Sequence, residues 1–67
     1  MFSTSITTQT LADLHEELAE PEHHVDRIEG HHPVLGRVIL VPHPLADTAL
    51  AVTEHPIEAR EIHAVAA

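Results

Sequence analysis

Eight histidines give this 67-residue chain its chief chemical potential: His15, His23, His24, His31, His32, His43, His55 and His63. Imidazole is the commonest metal ligand and the one side chain whose ordinary titration falls near neutral pH. The densest stretch, EPEHHVDRIEGHH, sets Glu20, Glu22, His23, His24, Asp26, Glu29, His31 and His32 within residues 20–32. If a helix runs through it, Glu20 stacks on His24 at i, i+4 and His23 lies near Asp26 at i, i+3, each pair offering two ligands. Adjacent histidines point about 100° apart on a helix and to opposite faces of a strand, so an HH pair rarely gives both rings to one ion. The spacings HxH, HxxxH and HExxH are absent. His23, His24, His31 and His32 are therefore metal-ligand candidates without a defined site, and no cofactor is expected. Protonating all eight imidazoles would move the formal charge from −8 to about zero, a response to acidity that any chain of this composition shares.

Other chemistry has few residues to work with. Ser3 and Ser5 lie in the N-terminal segment, Cys, Lys and Tyr are missing, and Gly30 and Gly36 are the only glycines. That leaves no activated nucleophile and no phosphate-cradling loop. Glu16 and Glu17 read as the solvated side of a helix, because a pocket that shifts carboxyl titration needs walls that a chain this short can hardly build. No catalytic residue is assigned and no enzymatic activity is expected.

Three Arg face eleven carboxylates, the reverse of the basic footprint that a nucleic-acid binder needs. An anionic membrane surface would repel the chain, and no apolar run approaches the 18 residues of a spanning helix. The N-terminus lacks the basic and apolar regions of a signal peptide. Synthesis in a cytoplasm is the expectation, including a host cytoplasm followed by incorporation into a particle. Seven of the eleven acids lie between Asp13 and Glu29, a stretch that could dock on a basic protein.

The elements that must position these groups are short. One small domain over residues 1–67 is expected, with a thin core: of the 43% hydrophobic residues nine are Ala, and Phe2 is the only aromatic. Without Cys there is neither a disulfide nor a Cys-based zinc site to reinforce it, which favours contacts with other chains. Residues 1–9 read as an extended arm or an edge strand. Thr10 as N-cap, Asp13 three residues later, and Leu11, Leu14 and Leu18 at helical spacing predict a helix over about 11–20. Pro21 ends or kinks it; Val25 and Ile28 three apart, with Gly30 as C-cap, extend the reading to a second helix ending near 29. VLGRVILV, between Pro33 and Pro42, predicts a strand over 34–41, with Val34, Gly36, Val38 and Leu40 on one face and Leu35, Arg37, Ile39 and Val41 on the other. A second strand is expected over 48–53, with Thr48, Leu50 and Val52 on one side, and a third over 57–65, where a short helix is the alternative.

The fold class expected is α+β, a helix or kinked helix pair followed by a small antiparallel meander. The functional expectation is a non-enzymatic structural or interaction subunit of a homo-oligomer or larger assembly, a virion or other particle among them. Leu11, Leu14, Leu18, Leu35, Ile39 and Val41 are its partner-binding candidates. Two readings compete: a histidine-rich protein that binds a divalent metal, and an acidic decoy of a basic partner in the manner of an inhibitor or antitoxin.

Overall fold

The computed structural model describes residues 1–43 and 46–60. Its frame is a five-stranded antiparallel sheet with a ten-residue helix on one face and, among the described residues, a small helical turn near the end. The strands are β1 (Phe2–Thr7), β2 (Ala19–His23), β3 (Ile28–His32), β4 (Gly36–Pro42) and β5 (Thr48–Thr53), and the helix α1 (Thr8–Glu17) follows β1 directly. Across the sheet the order is β1-β5-β4-β3-β2, so the first strand and the second form the two edges. The mixed α+β class is as expected, with more sheet and less helix. Residues 1–9 hold an edge strand rather than a free arm, since β1 pairs along its whole length with β5, from Phe2 opposite Thr53 to Thr7 opposite Thr48.

The N-terminal helix is present but begins three residues early. The hydroxyl of Thr7, not Thr10, is the cap: its oxygen accepts from the backbone N–H of Thr10 at 3.1 Å. The helix stops at Glu17 because Leu18 turns into extended backbone and buries its side chain. The second helix expected up to residue 29 does not form. Residues 19–32 form a hairpin, β2 with β3, closed by the loop 24–27, in which the His24 N–H donates to the Arg27 carbonyl at 2.8 Å. Pro21 sits in the edge strand beside an irregularity in the pairing where Glu20 takes φ +49°; a proline N is tolerated there because an edge strand has one row of backbone groups with no ladder to serve. Gly30 is not a cap. It lies in the middle of β3, and a Cβ there would come 3.1 Å from both Cβ and Cδ1 of Leu18. The missing side chain lets the chain leaving α1 pass close over the sheet.

The strand expected over 34–41 is β4, displaced to 36–42, because Pro33, Val34 and Leu35 make the turn from β3. Gly36 ends that turn at φ +75°, a conformation that suits glycine. β5 matches the strand expected over 48–53. Residues 57–60 form one helical turn; the remainder of the 57–65 segment, with His63, lies outside the described residues.

Strand alternation sorts the side chains. Ile6, Gly30, His32, Val38, Leu40, Ala49, Ala51 and Thr53 share the helix side and are all buried. Leu14 and Leu18 close over them, with Leu35 and Ile57 completing the core and Leu11 packed at its margin. Thr53, the polar residue at its centre, donates its hydroxyl to the His55 carbonyl. Among the described residues no helix is long and apolar enough to cross a membrane.

Candidate functional site

Three surfaces set by this frame carry the polar and apolar groups of interest. The first is a link beneath the end of α1. His32 points inward from the last position of β3 and is 5% exposed. Its Nδ1 accepts the backbone N–H groups of Val34 at 3.0 Å and Leu35 at 3.2 Å. Both of these can only donate, so the ring proton belongs on Nε2, which donates to Oε1 of Glu17 at 2.7 Å. Arg60 grips the same carboxylate with two bonds, Nε to Oε1 at 2.7 Å and Nη2 to Oε2. That guanidinium, aided by His32 and opposed by partial burial, holds the Glu17 carboxyl down at about 2. The histidine is thus a turn cap as well as a strut, tying the β3–β4 turn to α1 and, through Glu17, to the helical turn at 57–60.

The second surface is the sheet face that α1 does not cover. Ile39, Val41, Leu50 and Val52 form an aliphatic stripe across β4 and β5, and Leu50 is 41% exposed. Ser3 and Ser5 of β1 flank it on one side. On the other side lies a charged knot centred on Glu29, whose Oε1 accepts from Arg37 Nη2 at 2.6 Å and whose Oε2 accepts from Arg27 Nε at 2.7 Å. His24 Nε2 lies 3.3 Å from Glu29 and 3.7 Å from Glu22. Arg37 first, then Arg27, hold the Glu29 carboxyl below its ordinary range, and Glu29 in return holds the Arg27 guanidinium above its own. The carboxylate is consumed by this pairing, which leaves it a poor acid–base group. No buried side-chain nitrogen or oxygen among the described residues lacks a partner.

The third surface is the pair of sheet edges, which are built differently. β2 reads AEPEH: it carries Pro21, Glu20, Glu22 and a break in its register, and all of its residues are exposed. Each of these features discourages another strand from pairing. β1 reads FSTSIT, with no charge, no proline and no break in its pairing with β5, and Phe2 at its start is 48% exposed.

The four metal-ligand candidates do not converge. His31 points to the open face opposite Arg37, His32 points into the core, His24 joins the Glu29 knot, and His23 crosses to α1, where its Nε2 lies 2.8 Å from Nε2 of His15. Among the described residues no group of three or more His, Asp or Glu is placed to hold one ion. Local spacing carries no signal for the His15–His23 pair, because the two are eight apart in sequence and meet only through the hairpin. Of the partner-binding candidates, Leu14, Leu18 and Leu35 are buried within the chain's own core and Leu11 packs against it, so these four do not offer a docking surface. Ile39 and Val41 lie on the uncovered face. Phe2 and Leu50 are the exposed apolar members of β1 and of the stripe; the alternation of β5 already placed Leu50 beside Val52. The chain matches no family model, no curated protein and no solved structure.

Proposed function

We propose that this protein is a non-enzymatic structural subunit that assembles with copies of itself, edge to edge through β1. The observation that carries the reading is the contrast between the two sheet edges. An uncapped strand edge presents a row of N–H and C=O groups to any strand that can reach it, and proteins that stay monomeric blunt such edges with charge, proline or bulges. Here β2 has all three devices and β1 has none.

Charge supports a second copy as the occupant. A chain of formal charge −8 resists self-association, but the first carboxylate in the sequence is Asp13, so β1 lies in the longest acid-free stretch of the N-terminal half. An antiparallel pair centred on Thr4 is self-complementary, as a two-fold axis requires. It sets Phe2 opposite Ile6 of the second copy and Ser3 opposite Ser5, giving the half-exposed ring an aliphatic neighbour. The two sheets then run on as one, and their aliphatic stripes lie on a common open face from which a larger assembly can grow. The engaged state of Glu17 and Glu29 supports the non-enzymatic half of the reading.

Charge exchange at Ser3 and Ser5 tests it, because both side chains are exposed and point away from the core. Native mass spectrometry should find the wild type at twice its 7.3 kDa chain mass, S3E/S5E and S3K/S5K each as monomers, and the two variants mixed as a heterodimer. Far-UV circular dichroism checks that the folds are kept. A wild type that stays monomeric into the millimolar range, or a dimer indifferent to both variants, would overturn the proposal.

A further inference from the structure

We infer that His15 and His23 form a two-imidazole binding site for a divalent transition ion, with Cu²⁺ as the best-fitting occupant. His15 projects from the last turn of α1 and His23 from the last residue of β2. Their Nε2 atoms lie 2.8 Å apart, and the ring centroids are 5.0 Å apart with the planes 77° to one another. Two imidazole nitrogens on one ion, each at about 2.0–2.1 Å, are separated by about 2.9 Å when they are cis in a square plane and by about 3.3 Å at a tetrahedral centre. The nitrogen spacing is thus within a few tenths of an ångström of what a single ion needs, and nearest to the square-planar case that Cu²⁺ and Ni²⁺ favour; the 5.0 Å centroid separation sets the two rings almost head-on, so each ring must swing to aim its lone pair at an ion beside the line between them. Without an ion, one ring donates its Nε2 proton to the other. For an ion to enter, that proton passes through water to Nδ1 of the same neutral ring, and both Nε2 lone pairs face the metal with no net proton lost. Water fills the remaining positions, since no third His, Asp or Glu among the described residues completes the set. The site is therefore open and exchangeable.

Its location gives binding a mechanical result. β2 is exposed along its whole length, and the two rings are the contact between its end and α1. An ion shared by them fastens the outer strand to the helix, so it should stabilise the fold in proportion to its occupancy.

The test is titration of the untagged chain with CuCl2 in a non-coordinating buffer, read by calorimetry and by thermal unfolding. One ion should bind per chain and raise the unfolding midpoint. His15→Asn and His23→Asn should each weaken binding at least tenfold and abolish the midpoint shift, with ion-free folds unchanged by circular dichroism. His31→Asn, whose ring lies on the opposite face, should bind as the wild type does. Electron paramagnetic resonance should show two equivalent nitrogen couplings in the wild type and one in each affected variant. Stoichiometric binding that survives both substitutions, or no saturable binding below millimolar Cu²⁺, would overturn the inference.

Discussion

His32 offers the sharpest test of how this fold is held, because its two ring nitrogens serve different neighbours and can be separated by substitution. Asparagine places Oδ1 where Nδ1 stands and keeps an acceptor for the N–H groups of Val34 and Leu35, but it cannot reach Glu17. Glutamine places its terminal amide near Nε2, keeps a donor for Glu17 and abandons the turn. The acceptor side weighs more. Leu35 is fully buried and Val34 half-buried. A buried N–H left without an acceptor costs about 1–3 kcal/mol, so the two together come to about 3 kcal/mol. Glutamine also freezes an additional flexible torsion, raising its total to about 4 kcal/mol. Asparagine loses a bond to a carboxylate whose side chain is 36% exposed and still held by Arg60. That is worth about 1 kcal/mol after screening, and the shortened side chain leaves a small void worth about 1 kcal/mol more. His32→Asn should therefore be about 2 kcal/mol more stable than His32→Gln. Urea unfolding followed by far-UV circular dichroism, at one fixed protein concentration, measures the gap; the chain has no Trp or Tyr to follow. An unfolded Gln variant beside a folded Asn variant gives the same ranking. Equal stabilities, or Gln above Asn, would refute the assignment of His32 as the cap of the β3–β4 turn.

Glu17 predicts an acid limb. Its carboxyl titrates at about 2 in the fold against an ordinary 4.5, so its stabilisation is complete above pH 4.5 and is lost as pH falls towards 2. The shift nominally corresponds to about 3 kcal/mol, which partial exposure reduces to about 1 kcal/mol. In chelator-treated buffer, Glu17→Gln should lower stability by about that amount at pH 6 and match the wild type near pH 2, as read by urea midpoints. Gly30→Ala would press a methyl group to 3.1 Å from Leu18 and should cost about 1–3 kcal/mol. Leu18→Val should recover part of that loss in the double variant, a coupling that a thermodynamic cycle detects. Gly36→Ala meets Glu54 at 3.0–3.1 Å and sits at φ +75°, so it should cost about 1–2 kcal/mol; Glu54→Ala should relieve the contacts with Oε2 and Cδ but neither the one with Cβ nor the backbone strain, leaving the double variant still below wild type.

The parts legible in the sequence were those where side-chain periodicity and burial agree. Ile39 and Val41 alternate with Val38 and Leu40, and Leu50 and Val52 with Ala49 and Ala51, so β4 and β5 and their two faces could be read directly. The Leu11, Leu14, Leu18 stripe announced α1, but its register depended on which of the threonines 7, 8 and 10 supplied the cap. Residues 19–29 misled for a physical reason. β2 has no apolar residue beyond Ala19, so it carries no period-2 signal, while Val25 and Ile28 mimic helical spacing although Val25 is a fully exposed loop residue. Gly30 is explained by a contact with Leu18 twelve positions earlier, which local patterns do not contain. The same holds for the functional groups. Strand geometry sends His31 and His32 to opposite faces, as alternation requires, but the pairing of His15 with His23 exists only once the hairpin folds back on α1.

The distribution of charge and the construction of the edges lead to one picture of how such a small chain can be specific about association. The acids of α1 and β2, together with Asp26 and Glu29, occupy the helix surface and the side of the sheet remote from β1. Repulsion between copies therefore opposes contact through α1 or β2 more than contact through β1, where Asp47 and Glu54 lie beyond the two ends of the neighbouring strand β5. The blunted edge acts in the same sense, since Pro21 and the break at Glu20 deny β2 a regular partner strand. Orientation would thus be selected by removing the alternatives, with backbone hydrogen bonds along β1 supplying attraction that by itself has little sequence preference. Raising ionic strength should then strengthen self-association while loosening its selectivity. Wild-type dimerisation would tighten with salt, and S3E/S5E would regain some association at high salt that it lacks at low salt, both measurable by sedimentation equilibrium. Weakening of the wild-type dimer by salt would instead mean that opposite charges hold the copies together, which would refute selection by repulsion.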